Sequence, residues 1–241
     1  MFSDPDDFVS PQLMSVITRA VELDNQADML VFKHFRVTEF NDKDWPVYDI
    51  NNLKISDWTY PDNEDFCFSI AIDYLNVGGY PWNKVTKKEI LQGKYFNESL
   101  YVMSDQPYFL DVVCGHKNMR ICFMNYYLYC YLQHSTFGQT RVINKLYYKE
   151  GISGYIISME TELNIKGLPP RLIKQRKAAI YSESLAGLFK NPVKLSKESR
   201  QKLRENTRNF FMFYYCSPFF TTWDKVKKII KQILVLLHIN K

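Results

Sequence analysis

Residues Ile121-Cys-Phe-Met-Asn-Tyr-Tyr-Leu-Tyr-Cys-Tyr-Leu132 leave Asn125 as the one side chain that is neither apolar nor aromatic. Such a segment offers no solvent face, so it must run through an interior. Periodicity does not decide whether it does so as a buried helix or a long strand. Soft side chains precede and enter it. The stretch from Val112 to Cys130 holds Cys114, Cys122 and Cys130 of the five cysteines, and His116 of the four histidines. Three readings follow: a metal site, a short motif read by a partner, or a thiol-lined core.

At 241 residues and 46% apolar, the chain can bury a full core in one domain with an appended segment. The heavy use of Tyr and Phe, 17 of each, fits either an AT-rich genome or a sticky surface. No basic leader with an apolar run stands at the N-terminus. No run reaches the roughly 18 apolar residues of a membrane span. An odd number of cysteines in such a chain points to reduced thiols and a cytosolic or nuclear setting. The net charge of +5 conceals a polarity. Residues 1–65 carry fourteen Asp/Glu against five Lys/Arg, and residues 166–208 carry twelve Lys/Arg against three Asp/Glu. That asymmetry fits pairing of the two ends, or an acidic partner, RNA or DNA on the basic side.

Along the chain, residues 8–32 read as helical, with Leu13, Val16, Ile17, Ala20 and Val21 at helical spacing. Strands are expected over 32–40, 48–58, 66–77, 142–149 and 154–162, with a polar turn at 41–46. Thr86-Lys-Lys-Glu89 has the form of a capping box, predicting a short helix to about Lys94. A further helix is expected over 196–206. After Thr222 or Asp224, Val226, Ile229, Ile230, Ile233, Leu236 and Leu237 fall on one helical face, with Lys225, Lys228, Lys231 and Gln232 largely opposite. The expected architecture is α+β, a single mixed domain over 1–220 with a basic amphipathic helix over 221–241.

Cys114, His116, Cys122 and the distant Cys216 are the candidate ligands of a structural zinc ion, although no Cys-x2-Cys pair is present. A thiol-lined core is the competing reading. Arg171, Lys174, Arg176 and Lys177 form a basic patch fitting nuclear import or nucleic acid, or simply a solvated helix face. The apolar face of the C-terminal helix suits docking on a partner or on the domain, or a membrane surface. No nucleotide loop, nucleophile elbow or zinc-protease motif appears, which favours a non-enzyme.

The order of these blocks resembles the adenovirus early-region-4 34-kilodalton protein family, the product of that region's sixth open reading frame. The matching blocks are Cys67-Phe-Ser-Ile-Ala-Ile-Asp-Tyr-Leu75 followed by Pro81-Trp82 and Thr86-Lys-Lys-Glu89, then Cys114 and Cys122 leading through Phe123 to Leu146-Tyr-Tyr-Lys-Glu150. The last is Asn209-Phe-Phe-Met-Phe-Tyr-Tyr-Cys216-Ser with the basic helix after Thr222. The resemblance spans roughly 50–150 and 205–240. It implies a viral early adaptor in the host nucleus, shuttling to the cytoplasm and without catalysis of its own. Its partners would be the adenoviral early-region-1B large protein, host elongins B and C, and a cullin. The assembly would direct host antiviral and DNA-damage proteins to degradation and aid late viral mRNA export.

An elongin-binding box spaces Leu and Cys four residues apart on one helical face, after a small residue and before an aliphatic one. Leu110-Asp-Val-Val-Cys114 is the nearest fit, with Phe109 in place of the small residue and Asn118 in place of the aliphatic. Leu110 and Cys114 are therefore the elongin-box candidates. Val226, Ile229, Ile230, Ile233 and Leu237 are the candidates for docking the region-1B partner or the domain itself. The alternative function is a nucleic-acid-binding regulatory protein using the 171–208 basic region.

Overall fold

In a computed structural model of the chain, residues 1–55, 78–100, 104–116, 118–133, 154–177, 179–180 and seven positions between 222 and 233 are described. The expected strands over 66–77 and 142–149, the helix over 196–206, Cys216 and Leu237 lie outside the described residues.

Strand β2 (Met29–Val37) and strand β4 (Ile121–Leu132) pair in parallel at the centre of a four-stranded sheet of order β1-β4-β2-β3. Two short strands flank them antiparallel: β1 (Phe8–Val9) along β4 and β3 (Lys84–Thr86) along β2. Helices and a mixed sheet together make the chain α+β.

The apolar segment 121–132 is thus a strand. Tyr, Phe and Ile favour a pleated surface, and a central strand covered on both faces needs no alternation. Met29, Leu30, Val31 and Phe32 of β2 are all buried, as are Ile121 to Met124 and Leu128 to Cys130 of β4. The register slips between Phe32 and Lys33 and again between Lys33 and His34. The extra residues of the irregularity are on β4, and Asn125 among them is exposed.

Helix α1 (Leu13–Leu23) lies against one face of this sheet through Leu13, Val16, Ile17 and Ala20, while Val21 is exposed. It is shorter than the expected 8–32. Asp24 ends it, its carboxylate accepting the amide N–H of Gln26 at 3.1 Å and turning the chain toward β2. Trp82, Leu53 and Tyr129 complete the same core.

Thr86 ends strand β3, its backbone paired with Met29, so it does not cap helix α2 (Lys88–Leu91). Lys87 holds the N-cap position with no side-chain cap, and the helix stops well short of Lys94. The stretch expected as a strand at 48–58 holds a 3-10 turn, Ile50–Asn52, because Asp49 accepts the amide of Asn51 at 3.0 Å. A second such turn, Asp42–Asp44, forms in the expected polar turn and carries a capping box from Asn41.

Helix α3 (Asp105–Cys114) precedes β4. The loop before β3 presses on its first turn: a Cβ on Gly79 would stand 2.5 Å from the Gln106 Cα. Gly167, with φ +84°, makes a comparable approach to the α3 end, where a Cβ would stand 3.2 Å from the Cys114 carbonyl oxygen.

Residues 154–162, expected as a strand, form helix α4 (Gly154–Glu162). Among its described side chains Ser158, Met159 and Glu162 are buried, a helical spacing that the β-favouring Tyr155-Ile156-Ile157 run conceals. Residues 170–177 are also helical. By its contacts the chain divides into two compact units, one of residues 1–98, 104–138 and 165–167, the other of 99–103, 139–164 and 168–241.

Candidate functional site

Helix α3 gives Leu110 and Cys114 the i, i+4 relation that an elongin box requires. Their burial separates them. Leu110 is fully buried, with Phe109, Val112 and Val113, whereas Cys114 at the helix end is half-buried. The side chain that such a box would insert into a partner is here a core residue of its own fold.

Of the zinc candidates, Cys114, His116 and Cys122 are described, and these three do not converge. His116 sets Nε2 3.0 Å from the Ile90 carbonyl oxygen, which can only accept, so that nitrogen carries the proton. The Cys122 thiol donates to the Asp24 carboxylate at 3.3 Å. Arg120 grips the same carboxylate oxygen through Nε at 2.7 Å and its terminal nitrogen at 2.6 Å. The Arg120 hydrogen bond leads in holding the Asp24 carboxyl below the usual carboxylate range. A zinc-bound cysteine is a thiolate, whereas this thiol serves as a donor. Among the described residues, no group of three or more His, Cys, Asp or Glu is arranged to hold a metal. Burial, assisted by the Asp7 charge, pushes the Cys130 thiol up to about 11, keeping it an inert core thiol.

The charged and aromatic chemistry of the first unit is concentrated elsewhere. Trp82 stacks on Tyr129 at 4.6 Å and on Tyr80 at 4.8 Å, with His34 edge-on to Trp82 at 4.5 Å. Arg36 donates through Nε to His34 Nε2 at 3.0 Å and through a terminal nitrogen to the Tyr80 hydroxyl at 2.9 Å. Burial first, then the charges of Arg36 and Lys84, drive the His34 imidazole down to about 3. Beside it, fully buried Lys84 donates to the Gly78 and Tyr80 carbonyls at 2.8 and 2.7 Å and to Asn83 Oδ1 at 2.6 Å. Its ammonium also lies 5.2 Å from the Phe109 ring centre. The sequence offered no signal for this cluster beyond His34, Arg36 and Lys84 standing among aromatics.

At the sheet edge the N-terminal strap converges on the Tyr129 hydroxyl. That hydroxyl accepts the Asp4 amide N–H at 3.1 Å and donates to Asp7 Oδ2 at 2.7 Å, while Asp7 Oδ1 accepts the Leu132 amide at 2.9 Å. Burial leads in raising both the Asp4 and Asp7 carboxyls, and neighbouring carboxylates add to it.

In the second unit, Arg171, Lys174 and Lys177 of the expected basic patch are exposed, but Arg176 turns inward. It forms a buried ion pair with Glu162 of α4, whose carboxyl is raised by burial against the opposing pull of Arg176. Of the docking helix, positions 222, 223, 226, 227, 229, 230 and 233 are described, and all are helical. Val226, Ile230 and Ile233 are exposed and Ile229 is half-buried, while Lys227 lies over the Trp223 ring at 5.3 Å.

No protein-family model, no curated protein and no solved structure matches the chain.

Proposed function

We propose that the chain is a non-catalytic viral adaptor of the host nucleus, a substrate-recruiting partner of a cullin–elongin ubiquitin ligase. It resembles the adenovirus early-region-4 34-kilodalton family in this. One observation carries the reading: two sequence blocks that bear the resemblance pack as one piece. Trp82 of the Pro81-Trp82 block stacks on Tyr129 of the block that follows Cys122. The exposed apolar side chains of the C-terminal helix supply a face on which the region-1B protein would dock. Elongin would be met through the half-buried Cys114 end of α3, since Leu110 belongs to the core.

The test is reconstitution of the full chain with the region-1B large protein and with elongins B and C. Both complexes are expected to form. Ile230→Glu with Ile233→Glu should abolish the first, and Cys114→Ala should weaken the second. Absence of both complexes sinks the adaptor reading.

Arg171, Lys174 and Lys177 favour a second reading, nucleic-acid binding. Their spacing of three keeps them on one side of a helix, and all three are exposed. RNA affinity falling by about two to three decades per tenfold increase in salt, and flattening when the three are replaced by Gln, would support it.

A further inference from the structure

We propose that Ser3 is a phosphorylation site for an acid-directed serine kinase, and that phosphate there releases the N-terminal strap, residues 1–10, from the edge of strand β4.

Ser3 is exposed, and it precedes Asp4, Asp6 and Asp7. A kinase whose substrate groove is basic selects a hydroxyl followed by carboxylates. Here they stand one, three and four positions downstream. In the transfer, the Ser3 oxygen attacks the γ-phosphorus of ATP and the bond to the β-phosphate oxygen breaks. The hydroxyl proton passes to the kinase's base, and ADP leaves.

The consequence follows from what the strap holds. Two strap groups meet at the phenol of buried Tyr129, the Asp4 amide and the Asp7 carboxylate, while the Ser3 hydroxyl donates to the Asp4 carbonyl at 3.4 Å. Asp7 also ties down the Leu132 amide, and the Ser10 amide donates to the Leu128 carbonyl at 3.0 Å. Phe8 and Val9 pair as strand with β4, and their side chains are partly exposed, Phe8 lying against the Phe40 ring at 5.6 Å. At the strap's start, Phe2 meets Phe96 and Tyr108 edge-on at 5.5 and 6.1 Å. The strap is thus held by a handful of polar contacts strung along the β4 edge, with its aromatic side chains only partly buried. Its carboxylates already oppose one another. Phosphoserine adds a charge of about −1.5 to −2 next to Asp4 and close in sequence to Asp6 and Asp7, and the added repulsion disrupts rather than clamps.

The experiment uses the full chain, ATP and a constitutively active acid-directed serine kinase. Mass spectrometry should place one phosphoryl group on Ser3, absent from Ser3→Ala. Hydrogen exchange of the Asp4, Ser10 and Leu132 amides should then quicken at least about tenfold. The interior Phe32 amide, bonded to the Asn83 carbonyl at 3.1 Å, should stay unchanged. Ser3→Glu should reproduce part of the acceleration. No phosphoryl group on Ser3 overturns the site. Phosphorylation with unchanged strap exchange overturns the release.

Discussion

A buried histidine and a buried lysine within one loop's reach set the chemistry of the first unit, and their protonation states are opposite. His34 Nε2 accepts from Arg36, so the ring is neutral and its proton sits on Nδ1. With the folded value near 3, below the unfolded value of about 6.5, the neutral ring supports the fold. That support is complete above about pH 6.5 and declines as pH falls toward 3, by about 1.4 kcal/mol per unit at most. Asp4 and Asp7, raised by burial, act with the opposite sign: the cost of their charge is relieved as pH falls through their folded values. Two outcomes are expected. The His34 imidazole resonances should not titrate between pH 7 and about 4.5. The urea midpoint should drop over that interval, and His34→Phe should flatten the drop. A His34 titration centred near 6.5 would refute the assignment.

Lys84 is the complementary case, an ammonium whose donors are met by the Gly78 and Tyr80 carbonyls and Asn83. Lys84→Met would leave those acceptors buried without it and slacken the loop that carries Trp82. We expect a loss on the order of 3–5 kcal/mol in urea unfolding. A loss under about 1 kcal/mol would mean the ammonium does not hold the loop.

Among elements, helix α3 shows why a motif spacing is not yet a site. Leu110 and Cys114 have the required separation, and the helix is there, but a fully buried Leu is committed to its own core. Leu110→Ala should therefore cost about 2–5 kcal/mol, whatever the chain binds. Cys114→Ala at the half-buried helix end should cost under about 1.5 kcal/mol. Measured together by denaturant unfolding, the pair separates a folding defect from a binding defect. Equal losses would place Cys114 in the core as well.

The same elements show which features the sequence made readable. The α1 stripe of Leu13, Val16, Ile17 and Ala20 is visible because one face is buried and the other is not. Segment 121–132 was ambiguous because a strand buried on both faces has no period to detect. Residues 154–162 misled because local β-propensity favoured a strand, while burial of Ser158, Met159 and Glu162 required a helix. Thr86 could not cap because its backbone already belonged to a ladder formed with Met29, a partner far away in sequence. The cluster around Lys84 and His34 depends on tertiary contacts that no local pattern encodes.

For the whole molecule, the decisive property is the route of the chain. It passes between the two compact units at 98/99, 103/104, 138/139, 164/165 and 167/168. The insert 99–103 and the insert 165–167 are each too short to hold structure alone. Each is joined through the backbone at both ends to the other unit. Unfolding either unit therefore frees both ends of a short segment that belongs to the other. We expect one cooperative transition that includes both units. Arg176→Met strands the Glu162 carboxylate and should cost about 3–5 kcal/mol. It acts in the second unit, whereas Lys84→Met acts in the first. Each should move the entire unfolding curve, with near-ultraviolet and far-ultraviolet circular dichroism remaining superimposed. Two separable steps, each displaced by one substitution alone, would show that the units fold independently and that the shared chain crossings do not couple them.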